Sequence, residues 1–106
     1  MAFAYITCKN KREAQRISDY LIKKRIAACT NSFPIESSFR WKGKITHQSE
    51  YAILAKTTKP RFKSILGQVS KIHSYDLPCI CLLPSTSGAK FAHWVKKEVQ
   101  WGSKGT

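Results

Sequence analysis

The spacing of apolar and polar positions predicts that the chain opens with a strand followed by an amphipathic helix. Ala2 to Cys8 is apolar and aromatic, a composition typical of a strand. From Lys11 to Arg25, apolar residues recur at helical spacing and charged residues occupy the opposite face, which indicates a helix. Asn10 is a candidate N-cap, and Glu13 follows three residues later in the position of a capping box.

The middle of the chain changes to a period of two, which predicts a long hairpin. The strand from Cys29 to Trp41 places on one side the alternate residues Asn31, Phe33, Ile35, Ser37, Phe39 and Trp41. Pro34 interrupts this strand, so a bulge or bend is expected there. Lys42-Gly43-Lys44 is a candidate tight turn, because glycine adopts positive φ at little cost. The continuous apolar run from Tyr51 to Ala55 predicts a strand covered on both faces.

The last part of the chain predicts two more helices around a final strand. Thr57 or Thr58 is the candidate cap of the second helix, with Pro60 near its first position. The expected buried stripe of that helix is Phe62, Ile65, Leu66, Val69 and Ile72. An apolar strand from Leu77 to Leu83 follows, and then a helix from Ala89 to Val99 with Phe91, Trp94, Val95 and Val99 facing inward. Residues 102–106 are expected to form a disordered tail after a single domain at 1–101.

The resulting order, β-α-β-β-α-β-α, predicts an α+β fold of the ferredoxin-like kind with an extra C-terminal helix. Right-handed crossovers would place both main helices on one face of a four-stranded antiparallel sheet. The other face stays open, yet the strands that build it are rich in apolar residues. Monomers avoid exposing such a patch, so we expect the chain to associate with copies of itself.

Composition narrows the functional classes. The chain has 106 residues, which is enough for one domain, and it contains no apolar stretch of about 18 residues that could cross a membrane. The N-terminus shows no signal-peptide pattern, so a cytoplasmic location is expected. Lysine and arginine number 19 against 6 acidic residues, giving a net charge of +13, which favours anionic partners or nonspecific nucleic-acid adhesion. The basic residues are scattered, however, as on ordinary solvent-facing surfaces.

The four cysteines do not follow a zinc-binding pattern. They are Cys8, Cys29, Cys79 and Cys81, and no two of them form a CxxC pair. Cys79 and Cys81 alternate within an apolar run, so they are expected to face the same side of a strand. In a reducing compartment we expect four free thiols that serve as small apolar side chains.

Four segments resemble the hallmarks of one family. These are Arg25-Ile26-Ala27-Ala28-Cys29-Thr30-Asn31, Ser38-Phe39-Arg40-Trp41-Lys42-Gly43-Lys44-Ile45, Glu50 with Ala55-Lys56-Thr57-Thr58, and His73-Ser74-Tyr75-Asp76-Leu77-Pro78. In this order they resemble the CutA family of divalent-cation tolerance proteins, in register from about Phe3 to Val99. The resemblance implies a homotrimer of ferredoxin-like domains, in which long hairpins embrace the neighbouring subunits. It also implies a role in tolerance of copper or another divalent cation.

The metal site implied by the resemblance is incomplete in this chain. Some family members carry a first-strand cysteine and a histidine pair described as copper ligands; here those positions hold Ile6, Ile72 and His73, so only His73 matches. In a ferredoxin-like sheet, Cys8 at the end of the first strand would lie beside His73 at the start of the last. Cys8 and His73 are therefore candidate copper ligands. The alternative is that His73 ends its helix by bonding to carbonyl groups, because two ligands make a poor site.

Other functions have weaker support in the residues. No Ser/His/Asp or paired-carboxylate pattern is evident, so no enzyme is predicted. An RNA-recognition module shares the topology, and Phe3 and Tyr5 could stack on bases, but the aromatic motif of its third strand is missing. A signalling trimer that binds a small effector in subunit clefts is a further alternative. Tyr75 and Asp76 would then bond across such a groove, or they simply complete the loop into the last strand.

Overall fold

The computed structural model describes residues 1–104, with side chains as far as Val99. Its elements are β1 (Ala2–Cys8), α1 (Lys11–Lys23), β2 (Cys29–Trp41), β3 (Lys44–Thr57), a 3₁₀ turn (Lys59–Arg61), α2 (Phe62–Ile72), β4 (Ile80–Pro84) and α3 (Ala89–Lys104). The predicted order of elements is confirmed. Within the described residues, none of the helices is both long and apolar enough to cross a membrane.

The four strands form one antiparallel sheet in the order β2-β3-β1-β4, which confirms the ferredoxin-like arrangement. Strand β1 is central and alternates strictly between buried and half-buried residues. Its even-numbered residues pack with α1 and α2 in one apolar core, which includes Ile6, Ile17, Ile53, Ile65 and Val69. The odd-numbered residues of β1 point to the opposite side, which we call the open face.

The long hairpin of β2 and β3 closes through a two-residue turn, as predicted. Lys42 and Gly43 have φ values of 51° and 80°, the backbone signature of the type I′ turn that suits twisted hairpins. The bulge expected at Pro34 is wrong, because the pairing is one-to-one along the whole hairpin, with Pro34 opposite Tyr51. Strand β2 lies at the edge of the sheet, where every second amide points away from the ladder and a proline does not interrupt it.

The cap of α1 is confirmed, with one change. The Asn10 side chain accepts a hydrogen bond from the amide of Glu13 at 2.9 Å. In a standard capping box the Glu13 carboxylate would accept from the amide of the N-cap residue, Asn10. Here it accepts instead from the amide of the preceding residue, Lys9, at 3.0 Å. The helix ends at Lys23 rather than at the predicted Arg25, which adopts a left-handed φ of 58°.

The largest departures from the predicted boundaries lie after β3. Thr57 does not cap α2; its buried hydroxyl donates to the carbonyl of Ile26 at 2.8 Å. Strand β4 begins at Ile80, three residues later than predicted, because the preceding loop carries a Leu77 that is 80% exposed.

The C-terminal helix α3 is longer than the sequence indicated. It runs to Lys104, so residues 102–104 of the predicted tail fall within it, and residues 105–106 lie outside the described residues. Val95 and Val99 are buried as expected. Phe91 and Trp94 are instead about two-fifths exposed, and their tilted rings contact each other with centroids 5.6 Å apart.

Candidate metal centre and open sheet face

The open face carries the apolar side chains that the alternating pattern predicted. Pairing aligns Phe3, Tyr5, Phe33, Ile35, Leu54 and Leu83 on the side of the sheet away from α1 and α2. Each of these side chains is half-buried or exposed, and Leu83 is 42% exposed. At the hairpin tip, Trp41 on the same face is 55% exposed. This contiguous apolar surface has the character of an interface between proteins.

On the helix side of the sheet, the fold brings together the two metal-ligand candidates and a third group. Cys8 ends β1, His73 follows the last turn of α2, and Glu13 lies in the first turn of α1. One ligand atom from each of the three lies within 4.8 Å of the others. Sequence reasoning placed Cys8 beside His73 and assigned Glu13 only a capping role. The sequence carried no signal of a further role, because the burial of Glu13, which is 3% exposed, depends on how α1 packs.

His73 already has a hydrogen-bond partner for each ring nitrogen. Its Nδ1 accepts from the amide of Tyr75 at 3.0 Å, and its Nε2 lies 2.7 Å from the carbonyl oxygen of Thr7. A nitrogen that accepts carries no proton, so Nε2 bears the proton and donates to Thr7. The backbone amide of His73 also donates to the carbonyl of Val69 at 2.9 Å. The arrangement therefore joins the end of α2 to the end of β1.

Glu13 is held as a carboxylate by donors from two parts of the chain. Besides the Lys9 amide, it accepts from the amide of Ser74 at 2.8 Å and from Arg16 Nη2 at 3.3 Å. Burial on its own would raise the pKa of Glu13, but the bonds from Lys9 and Ser74 outweigh it and lower that pKa below the usual range. Glu13 therefore stays charged and ties α1 to the loop before β4.

Cys8, unlike Glu13, is favoured in its protonated form. Burial, followed by the negative charge of Glu13, raises the pKa of the Cys8 thiol to about 12. The donor types in the Cys8–Glu13–His73 cluster suit copper or zinc. A cation would nevertheless have to displace the Cys8 proton and free a ring nitrogen of His73. The residues thus fit a metal by type and distance, at the cost of bonds that already hold the fold together.

A cleft of about 540 Å³ opens where the hairpin meets the loop before β4. Its walls are Thr7, Phe39, Trp41, Thr46, Gln48, Glu50, Ser74, Tyr75, Asp76, Leu77 and Cys79. Tyr75 donates to the Glu50 carboxylate at 2.6 Å and accepts from Gln48 Nε2 at 3.1 Å. Burial and then Glu50 raise the pKa of Tyr75, so the phenol keeps its proton. Tyr75 therefore supports the loop from within the chain, while Asp76 lines the cleft.

One pair of side chains bears on the expectation of no enzyme. Ser38 Oγ and His47 Nδ1 lie 3.0 Å apart across the hairpin, a contact that the sequence reasoning missed. Residues opposite each other across a strand pair are expected neighbours, so the hairpin register was the available signal. Both residues are exposed, and among residues 1–99 no acid is hydrogen-bonded to this histidine. The pair lacks the third, orienting group of a catalytic triad.

The fold defines a ferredoxin-like α+β protein whose sheet has one open, largely apolar face. The model of one family, described as CutA1 divalent ion tolerance protein, matches residues 2–98, and the chain belongs to that family. The family resemblance stated from four motifs is confirmed.

Two relatives match over nearly their full lengths. The divalent-cation tolerance protein CutA of Archaeoglobus fulgidus is 42% identical over 99 residues, covering 92% of this chain and 97% of that protein. The divalent-cation tolerance protein CutA of Thermotoga maritima is 33% identical over 100 residues, covering 93% of this chain and 99% of that protein.

Two solved structures support the fold. That of the periplasmic divalent cation tolerance protein CutA from Archaeoglobus fulgidus superposes with a TM-score of 0.90 at 42% identity, over 93% of this chain and 99% of that one. The apo PII-like protein CutA from Nostoc sp. PCC 7120 superposes with a TM-score of 0.87 at 24% identity, over 93% of this chain and 97% of that one. It supports the fold alone.

Proposed function

We propose that the chain is a homotrimeric, cytoplasmic divalent-cation tolerance protein without enzymatic activity, assembled through its open sheet face. The carrying observation is the apolar surface formed by Phe33, Leu83 and their neighbours on that face. Each 1,000 Å² of such surface removed from water would contribute about 25 kcal/mol before the costs of association are subtracted. The family relationship supports the tolerance role.

The test of assembly is the mass in solution by light scattering, with one matched pair of variants. Leu83→Lys places a charge on the open face, and Ile22→Lys places one on α1, at a side chain of nearly equal exposure, 42% against 41%. We expect the wild type and Ile22→Lys to have the mass of three chains, and Leu83→Lys to dissociate. A wild-type mass near one chain would refute the proposal and would favour an RNA-binding role for the open face.

We further propose that copper binds weakly at Cys8, Glu13 and His73. The supporting observation is their mutual distance of at most 4.8 Å, and the weakness follows from the bonds already made by His73 and from the protonated thiol. Copper titration of a Cys79→Ser/Cys81→Ser background isolates this cluster. In that background His73→Gln should abolish the site, and His93→Gln, which alters an exposed histidine, should not. Equal affinity in both variants would contradict the proposal.

The cleft supports a second candidate function, in which a small effector binds beside the hairpin of the trimer. Its walls combine aromatic side chains of the hairpin with polar groups of Gln48 and Asp76, a mixture typical of ligand pockets. The net charge of +13 favours an anionic effector at long range, whereas the acids that line the cleft, Glu50 and Asp76, favour groups that donate hydrogen bonds. Isothermal titration with anionic metabolites tests this role, and Trp41→Ala should weaken binding by removing one wall.

A further inference from the structure

Cys79 and Cys81 form a pair of adjacent thiols on the open face. Cys81 lies opposite Tyr5 in the sheet, and the carbonyl of Cys79 accepts from the amide of Thr7 at 3.3 Å, which extends the ladder one residue beyond β4. Because side chains two residues apart share a face, both sulfurs project to the same side, as predicted. Their Sγ atoms are 3.7 Å apart, and both residues are exposed.

The separation of the two sulfurs matches a chelating geometry. Two thiolates bound to one tetrahedral zinc ion at about 2.3 Å each would lie about 3.8 Å apart. The observed 3.7 Å therefore needs almost no adjustment of the strand. A linear two-coordinate ion with the same bond lengths would need sulfurs about 4.6 Å apart.

From this geometry we propose that Cys79 and Cys81 chelate a soft divalent cation of the Zn²⁺ and Cd²⁺ class in a bent, tetrahedral arrangement. Water or a small anion completes the coordination. The cation replaces the weak contact between the two thiols and releases their protons. Cys79 also lines the 540 Å³ cleft, which provides a route by which the cation reaches the pair.

The surroundings of the pair favour positive charge. Glu50 from β3 adds a negative potential at Cys79, and Tyr5 from β1 lies opposite Cys81. Burial, and then the bond with Cys81, raise the pKa of Cys79. A hydrogen bond from the Thr7 side chain favours the Cys79 thiolate.

This dithiol is separate from the Cys8–Glu13–His73 cluster. Cys8 is buried on the helix side of β1, whereas Cys79 and Cys81 lie on the open face. The inference therefore does not depend on copper binding at His73. Because the pair lies on the face proposed to assemble, it requires the cleft beside Cys79 to stay open in the trimer. Single substitutions separate the three proposals.

The experiment uses the full chain in its assembled state, kept reduced with a phosphine that does not supply thiols. Cd²⁺ is added while the ultraviolet charge-transfer absorption of thiolate–cadmium bonds is followed, and Zn²⁺ affinity is measured by competition with a chromophoric chelator. The variants are Cys79→Ser and Cys81→Ser. The control is Cys29→Ser, which removes a half-exposed thiol on the same face.

We expect the wild type to saturate at one Cd²⁺ per chain. Each of Cys79→Ser and Cys81→Ser should lose the thiolate band and weaken Zn²⁺ binding by at least about tenfold. Cys29→Ser should retain both the band and the affinity. Survival of the band in the Cys79→Ser/Cys81→Ser double variant, or its loss in Cys29→Ser, would overturn the inference. A monomeric mass with an intact band would refute only the trimer, and loss of copper binding in His73→Gln would leave the dithiol unaffected.

Discussion

Replacing Glu13 with glutamine tests how the fold is joined around its buried carboxylate. Glu13 is 3% exposed and accepts from the amides of Lys9 and Ser74, at 3.0 and 2.8 Å, and from Arg16 at 3.3 Å. Glutamine keeps one oxygen, but its NH₂ group must face one of these donors, so one buried bond is lost and the charge is removed. Hydrogen bonds to charged groups are worth about 1.5–3 kcal/mol each, so we expect a loss of about 2–4 kcal/mol.

The matched control is Asp19→Asn on the same helix. Asp19 is exposed and accepts one long bond, at 3.4 Å from Gln15, so its replacement should change stability by less than about 0.5 kcal/mol. Both variants are compared with the wild type by chemical unfolding at equal protomer concentration, because the proposed self-association would make apparent stability concentration-dependent. A Glu13→Gln cost no larger than that of Asp19→Asn would refute the reasoning.

The same variant makes a prediction about pH. The pKa of Glu13 is lower in the folded chain than its ordinary value, so its charge stabilises the fold above the unfolded-state pKa. That contribution is lost as the pH falls through the depressed folded-state pKa. The stability difference between wild type and Glu13→Gln should therefore shrink on acidification. A difference that stays constant down to strongly acidic pH would show that the lost bond matters and the charge does not.

Two further changes test local features of the fold. Gly43→Ala should lower the free energy of unfolding by about 1 kcal/mol because φ is +80° there, whereas Gly67→Ala within α2 should raise it by up to about 1 kcal/mol. An added Cβ meets no atom within 4 Å at either site, so opposite signs in thermal unfolding would isolate the backbone effect. Thr57→Val leaves the buried carbonyl of Ile26 without the hydroxyl that bonds to it, so the free energy of unfolding should fall by about 1–3 kcal/mol. Thr58→Val removes no capping bond and should be nearly neutral in the same assay.

Features that depend on neighbouring residues were predictable. The Asn10 cap, the Lys42-Gly43 turn and the alternation of β2 follow from preferences that act over a few residues. The bulge at Pro34 was wrong because tolerance of a proline depends on whether its strand lies at the edge of the sheet, which is a property of the whole sheet. The start of β4 was placed too early because an apolar residue such as Leu77 can also occupy a loop.

The candidate sites show the same division. The family resemblance and the strand order predicted that Cys8 lies beside His73. The link that Glu13 makes to the loop before β4 could not be predicted, because its partner Ser74 is 61 positions away in the chain. The partners of both His73 nitrogens could not be read from the sequence, since they are backbone groups whose positions depend on how β1, α2 and the following loop meet. Cys79 and Cys81 were expected to share a face, whereas their sulfur separation depends on side-chain packing.

The sequence by itself determined the strands, the helices, their order and the apolar character of the face left uncovered, because periodicity and turn chemistry are local properties of a chain. Tertiary structure decided which distant polar groups meet: Glu13 with Ser74, Tyr75 with Glu50, and His73 with Thr7. The physical reason is that a hydrogen bond or a metal ligand set requires positions accurate to a few tenths of an ångström. Such accuracy exists only once the sheet register and the packing of the helices bring together segments that are far apart in the chain.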